Sequence, residues 1–164
     1  MLMKDQTDHA ELTELYWDRL SDITAGMLST GNSPTRPMAP LPRREDNAIW
    51  FITAKWTDIA QDADSGCDAQ FVTACPHSKL FSSVSGKLQS VNDQKKLEDL
   101  WSVFADIWFE DGKTDDDIRL VCFTPNRAEV WATDGKAKML WEMAKAETLE
   151  SAPDIGTQGT IHFP

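Results

Sequence analysis

The chain has 164 residues, enough for one domain with a real core and too few for two ordinary ones. Sixteen basic against twenty-seven acidic side chains leave a formal net charge of -11, which argues against a nucleic-acid backbone or an anionic membrane surface as the main partner. Three cysteines, Cys67, Cys75 and Cys122, are odd in number and include no Cys-x-x-Cys pair, so neither a disulfide framework nor a zinc site is signalled and a reducing cytoplasm fits.

The opening Met1-Leu2-Met3-Lys4-Asp5 turns acidic without an apolar run, unlike a signal peptide, and no stretch reaches the length of a membrane span. Leu12, Leu15, Tyr16, Leu20 and Ile23 recur at helical spacing, and Asp8 three residues before Glu11 offers a capping box. This predicts an amphipathic helix over about residues 8 to 21. A strand then ends in Gly31-Asn32-Ser33-Pro34, a turn signal, and a second strand begins near Thr35. Pro37, Pro40 and Pro42 each remove a ladder donor and confine that strand to an edge or an interrupted pairing.

Ala48 to Thr53 reads as a compact, aromatic-rich strand, followed by a loop or single helical turn over Lys55 to Ala60 and an acidic loop at Asp62, Asp64, Ser65 and Gly66. Strands over Ala69 to Ala74 and Leu80 to Val91 flank a turn at Pro76-His77-Ser78-Lys79. Asp93 caps a helix whose Leu97, Leu100, Trp101 and Phe104 share one face. Trp108, Phe109 and Gly112 fall in a loop with Asp115, Asp116 and Asp117. Ile118 to Phe123 and Ala128 to Thr133 read as strands joined by a hairpin at Thr124-Pro125-Asn126-Arg127. A last short helix runs from Ala137 to Ala144, and Thr160 to Phe163 is placed as an edge strand or a partner contact. The pattern predicts a mainly β, α+β fold: a six- to seven-stranded antiparallel barrel with flanking helices, one domain over residues 1–150 and a C-terminal tail over 151–164.

No G-x-G-x-x-G fingerprint and no G-K-[ST] loop is present, so nucleotide hydrolysis is not indicated. His9, His77 and His162 are far apart in sequence and lack partners at ligand spacing, so no metal is assigned. Ser29, Ser83 and Ser85 lack a nucleophile elbow. Most of the seven tryptophans fit core faces, whereas Trp131 shares a strand face with Glu129 and Thr133, a mixture suited equally to packing or to a site or subunit contact. Arg36-Pro37-Met38, followed by Trp50-Phe51-Ile52-Thr53 on what reads as a neighbouring strand, sets a cation and a hydroxyl where they would hold a flat, phosphorylated aromatic cofactor.

These segments, with Met27 to Thr30, Val84-Ser85-Gly86, Leu100-Trp101, Trp108-Phe109, Gly112, and Pro125 through Glu129 and Trp131, occur in an order that resembles the pyridoxamine 5'-phosphate oxidase-like FMN-binding split barrels, general stress protein 26 branch. The resemblance implies a split barrel, a homodimer with FMN at the subunit interface, and flavin-dependent oxidoreduction of an unknown substrate. It places Arg36 against the flavin and its phosphate side, the backbone of Pro37, Met38, Phe51, Ile52 and Thr53 along the ring, and the Thr53 hydroxyl as a donor. Trp131 would approach from the second subunit.

Two departures stand out. The family's serine and basic phosphate contacts fall here on Ala54-Lys55-Trp56-Thr57-Asp58-Ile59, so Thr57 replaces the serine, Lys55 is left to compensate, and Asp58 and Ile59 hold the basic positions. The Arg-x-His substrate element of true pyridoxamine-phosphate oxidases is replaced by Ala132-Thr133-Asp134-Gly135, so vitamin B6 synthesis is not expected. The alternatives are a non-catalytic flavin-binding or sensing dimer, and a dimer whose decayed phosphate site leaves a structural or interaction role.

Overall fold

The computed structural model describes residues 9–101, 111–133 and 156–164. The first helix, α1 (His9–Leu20), buries Leu12, Tyr16, Trp17 and Leu20 on one face, as the spacing predicts. Asp8, the first residue of the expected capping box, lies outside the described residues, as do Phe104, Trp108, Phe109 and the helix expected over Ala137 to Ala144. The strands are β1 (Gly26–Thr30), β2 (Arg36–Met38), β3 (Leu41–Arg43), β4 (Ala48–Ala54), β5 (Cys67–Cys75), β6 (Leu80–Val91), β7 (Ile118–Thr133) and β8 (Gly156–His162). Between them lie α2 (Asp58–Ser65) and α3 (Gln94–Leu100).

All eight strands belong to one antiparallel sheet in the order β2-β1-β5-β6-β7-β4-β3, with β8 also on β7. The strand count exceeds the expected six to seven: the proline-rich segment makes two separate three-residue strands, the two strands expected over 118–133 are one, and the C-terminal segment adds β8. Both lie at ends of the strand path, where a missing N–H leaves no ladder partner unsatisfied.

The expected hairpin at Thr124 to Arg127 does not form, because β7 runs sixteen residues without reversing. β6 pairs with it along its whole length, and the register shifts by one between Ser85↔Arg127 and Gly86↔Pro125. Asn126 is the inserted residue of a bulge, beside a proline that has no N–H to donate. An inserted residue resets the alternation of faces. Val121 and Phe123 point into the barrel before the bulge, and Ala128 and Val130 point into it afterwards. Gly86 is required at this crossing, since a Cβ there would stand 2.2 Å from the Thr124 carbonyl oxygen. The bulge divides the pairing: β4 joins the first half of β7, and β8 joins the second.

The barrel interior is packed by Leu28, Ile49, Phe51, Phe71, Val84 and Phe123 among others, and α1 and α2 contribute to it. Phe51 meets Phe71 edge to face at 5.3 Å. A second cluster sits on the opposite face of β4 and the first half of β7, where Leu97 and Leu100 of α3 cover Trp50, Ile118 and Leu120. Asp93 caps α3 as expected, accepting from the Lys96 N–H at 3.0 Å. The helix ends at Leu100, so Trp101 is its C-cap and not part of its face.

Asp62 and Asp64 lie in α2, not in a loop. Thr57 caps the helix by accepting from the Ala60 N–H at 3.2 Å, and Ile59, Ala60 and Ala63 form its buried face. Among the described residues no helix is long and apolar enough to cross a membrane.

Candidate functional site

Arg36 lies opposite Leu28 in the β1–β2 ladder and two residues from Met38, and both of those side chains are buried in the barrel core. Alternation along a strand therefore directs the Arg36 side chain to the barrel face and Pro37 outward. The guanidinium is partly buried, and its Nε is out of contact with solvent without a hydrogen-bond partner. A donor in that state costs free energy unless a ligand accepts from it.

Thr53, buried near the end of β4, lies on the same face as Phe51 and opposite Arg119. Its Oγ1 is 3.1 Å from Thr57 Oγ1, which also donates to the Ala54 carbonyl at 2.9 Å while capping α2. Arg36 and Thr53 are not on neighbouring strands, since β2 pairs with β1 and β4 with β3 and β7. α2 brings their segments together instead. Its cap touches Thr53, and Asp62 accepts hydrogen bonds from the Thr30 and Ser33 hydroxyls in the turn just before Arg36. The two attachments are separated by about 7.5 Å of helix axis at 1.5 Å per residue.

Met38 and Phe51 have their side chains in the core, so only their backbone is available to a ligand, while Ile52 packs on the opposite face toward the second cluster. Lys55 is exposed and ion-paired to Asp117 at 2.8 Å. Arg119, which the sequence reading did not single out, reaches Asp64 of α2 at 3.6 Å. Its place opposite Thr53 depends on pairing between distant strands, which local sequence does not display.

Trp131 lies twelve residues beyond Arg119 on β7, roughly 40 Å of strand path at 3.3 Å per residue. It is not brought to Thr53 along its own strand. Instead it stands on the outer sheet face, paired with Phe81 and Gln158. Pro37, Met27 and Val72 are consecutive partners across that face, and Met27 and Val72 are 41% and 38% exposed.

The two parts of the site fit a flavin mononucleotide differently. Arg36 offers an unpaired donor in a partly buried setting, beside an apolar interior, as the ring requires. At the expected phosphate contacts, Ile59 is fully buried in the core, Asp58 places a carboxylate in the first turn of α2, and Lys55 and Thr57 already have protein partners. Of the expected phosphate contacts, none is a cation without a protein partner, whereas Arg36 keeps a donor free for a ligand oxygen.

The family model described as pyridoxamine 5'-phosphate oxidase like matches residues 11–154. A solved protein from Jannaschia sp. CCS1, described as general stress protein 26, is 39% identical, with 95% of this chain and 100% of that chain covered and a TM-score of 0.87. The general stress FMN/FAD binding protein of Xanthomonas citri is 26% identical over 77% of this chain and 92% of that one, with a TM-score of 0.69. A general stress family protein from Xanthomonas campestris pv. campestris is 24% identical over 80% and 93%, with a TM-score of 0.70, and supports the split-barrel fold. No curated protein matches the chain. An antiparallel split barrel bent at Asn126, a family match over most of the sequence and a close general stress protein 26 neighbour make this chain a member of the pyridoxamine 5'-phosphate oxidase-like family.

Proposed function

We propose that this protein binds FMN or a related flavin as a homodimer and uses it for oxidoreduction. The observation that carries this reading is Arg36, a partly buried guanidinium whose Nε lacks a partner, at the α2-bridged end of the barrel that also holds Thr53. A flavin carbonyl or phosphate oxygen would satisfy that donor, and the bound flavin would accept and release the hydride. The FMN/FAD binding described for the Xanthomonas citri neighbour supports the same ligand class.

Dimerisation is supported by the outer sheet face. Pro37, Met27 and Val72 form an exposed apolar row, and Phe81 and Trp131 extend apolar surface on that face. A second copy packed there would bury this surface and supply Trp131 to a site that it does not reach along its own strand.

Titration of the purified protein with FMN, followed by flavin fluorescence and visible absorbance, tests the ligand, and sedimentation tests the dimer. Quenching with perturbed flavin bands, followed by bleaching of the bound flavin with NADH or NADPH, is expected. Unaltered flavin fluorescence at saturating protein would overturn the proposal. Flavin that binds but resists reduction by either nucleotide would favour a storage or sensing role.

A further inference from the structure

We infer that Asp62 is a positioning residue for the flavin site: its carboxylate seats the turn that leads into Arg36 against α2, and so sets Arg36 relative to Thr53. The inference rests on the flavin reading above and concerns how the site is assembled.

The Arg36 side of the site has little else to hold it. β2 is three residues long, lies at one end of the strand path and pairs with β1 alone, through Gly26↔Met38, Met27↔Pro37 and Leu28↔Arg36. Pro37 at its centre brings no N–H, and residues 31–35 between the two strands form no regular structure. α2 is fixed more firmly to the barrel. Ile59, Ala60 and Ala63 are buried, the Thr57 N–H donates to the Ala54 carbonyl at 3.1 Å, and Thr57 Oγ1 stands 3.1 Å from Thr53 Oγ1.

Asp62 joins the two parts. Its Oδ2 accepts from the Thr30 hydroxyl at 2.7 Å and also from the Ser33 hydroxyl. Thr30 Oγ1 in turn accepts from the Asn32 and Ser33 N–H groups at 3.3 and 3.0 Å, so one carboxylate oxygen orders the turn from Thr30 to Ser33. An ionised acceptor makes the stronger kind of hydrogen bond, and Thr30, Ser33 and Asp62 are all half-buried. Among the described residues these are the only side-chain hydrogen bonds from the β1–β2 hairpin to another element. A hairpin that is not seated does not present Arg36, and the apparent dissociation constant is the intrinsic one divided by the seated fraction. Loss of the tether therefore weakens flavin binding by no more than loss of Arg36 itself. The amide oxygen of Asp62→Asn can accept both hydroxyls in the carboxylate's place, whereas Asp62→Ala leaves them without an acceptor.

FMN titrations followed by flavin fluorescence, on the intact protein, Asp62→Ala, Asp62→Asn, Arg36→Ala and the Arg36→Ala, Asp62→Ala double variant, read the coupling. Amide hydrogen exchange at Asn32 and Ser33 without ligand reads the tether itself. Asp62→Ala should weaken FMN about tenfold by emptying the seated state, and Asp62→Asn by no more than about threefold. In the Arg36→Ala background Asp62→Ala should add less than about twofold, because the two residues act through one another. The Asn32 and Ser33 amides should exchange faster in Asp62→Ala and stay protected in Asp62→Asn. Asp93→Ala, which removes the α3 cap on the opposite face of β4, should lower Tm and leave FMN affinity unchanged. Equal effects of Asp62→Ala with and without Arg36, unaltered FMN affinity in Asp62→Ala, or unaltered exchange at Asn32 and Ser33 would overturn the inference and leave the flavin reading intact. Intact protein that binds no flavin would overturn both.

Discussion

Replacing Arg36 by Met separates a ligand-binding cation from a structural one. The methionine keeps most of the apolar stem while removing a guanidinium whose Nε is buried without a partner. An unsatisfied buried donor costs about 1–3 kcal/mol, discounted here because the residue is only partly buried, so the ligand-free variant should gain up to about 1 kcal/mol. For a chain of this size that corresponds to a rise of about 2–4 °C in Tm. With flavin present the sign reverses. A charge-assisted hydrogen bond contributes about 1.5–3 kcal/mol, so its loss should weaken binding roughly 10- to 150-fold at 1.4 kcal/mol per decade. Calorimetric unfolding without ligand and fluorescence titration with riboflavin give the two numbers. A ligand-free Tm that falls by several degrees, with flavin affinity unchanged, would refute the reasoning and make Arg36 a structural residue.

Gly86→Ala should cost about 3 kcal/mol through the clash with the Thr124 carbonyl, whereas Gly31→Ala, with nothing within 4 Å of its Cβ, should leave the denaturation midpoint unchanged. Ile59→Lys, which restores the charge type expected from the family at that position, should destabilise by about 3–5 kcal/mol in urea unfolding, because it places an ammonium in the barrel core. A stable variant that binds FMN more tightly would show that the side chain swings out to the phosphate. The Asp46 carboxyl is held below its ordinary value mainly by the Lys96 hydrogen bond at 2.7 Å, with the Trp50 indole N–H also donating. Its contribution to stability is therefore complete above the ordinary carboxylate range and lost as pH falls through the lowered folded value. Asp46→Asn should flatten the acid limb of a Tm-versus-pH curve below about pH 4, and an unchanged limb would count against the pairing.

Much of the architecture is legible in the chain because local signals agree with tertiary placement. Leu12, Tyr16 and Leu20 mark α1, Asp93 marks the start of α3, and Pro37, Pro40 and Pro42 mark edge pairing, although the one strand they suggest is two, at opposite ends of the strand path. The errors arise where local chemistry has two tertiary meanings. Thr124-Pro125-Asn126-Arg127 has the composition of a turn, but the same missing N–H and inserted residue make a bulge when a long partner strand is present. The change in alternation across that segment carries the information, since the inward positions pass from 121 and 123 to 128 and 130. Asp62 and Asp64 read as a solvated loop because their partners, Thr30, Ser33, Ser90 and Arg119, are remote in sequence.

The site divides along the same line. Arg36 and Thr53 are visible as residue types, but the link between them runs through α2 and its Asp62 anchor, a tertiary contact. The burial of Ile59 and the commitment of Lys55 to Asp117 also appear only after folding.

The most direct test of flavin binding is the visible absorbance spectrum of the protein as purified and after incubation with riboflavin, FMN and FAD, with chromatographic identification of whatever is released on denaturation. Flavin bands and a released flavin are predicted. A protein that is colourless as isolated and remains so with all three would contradict the account.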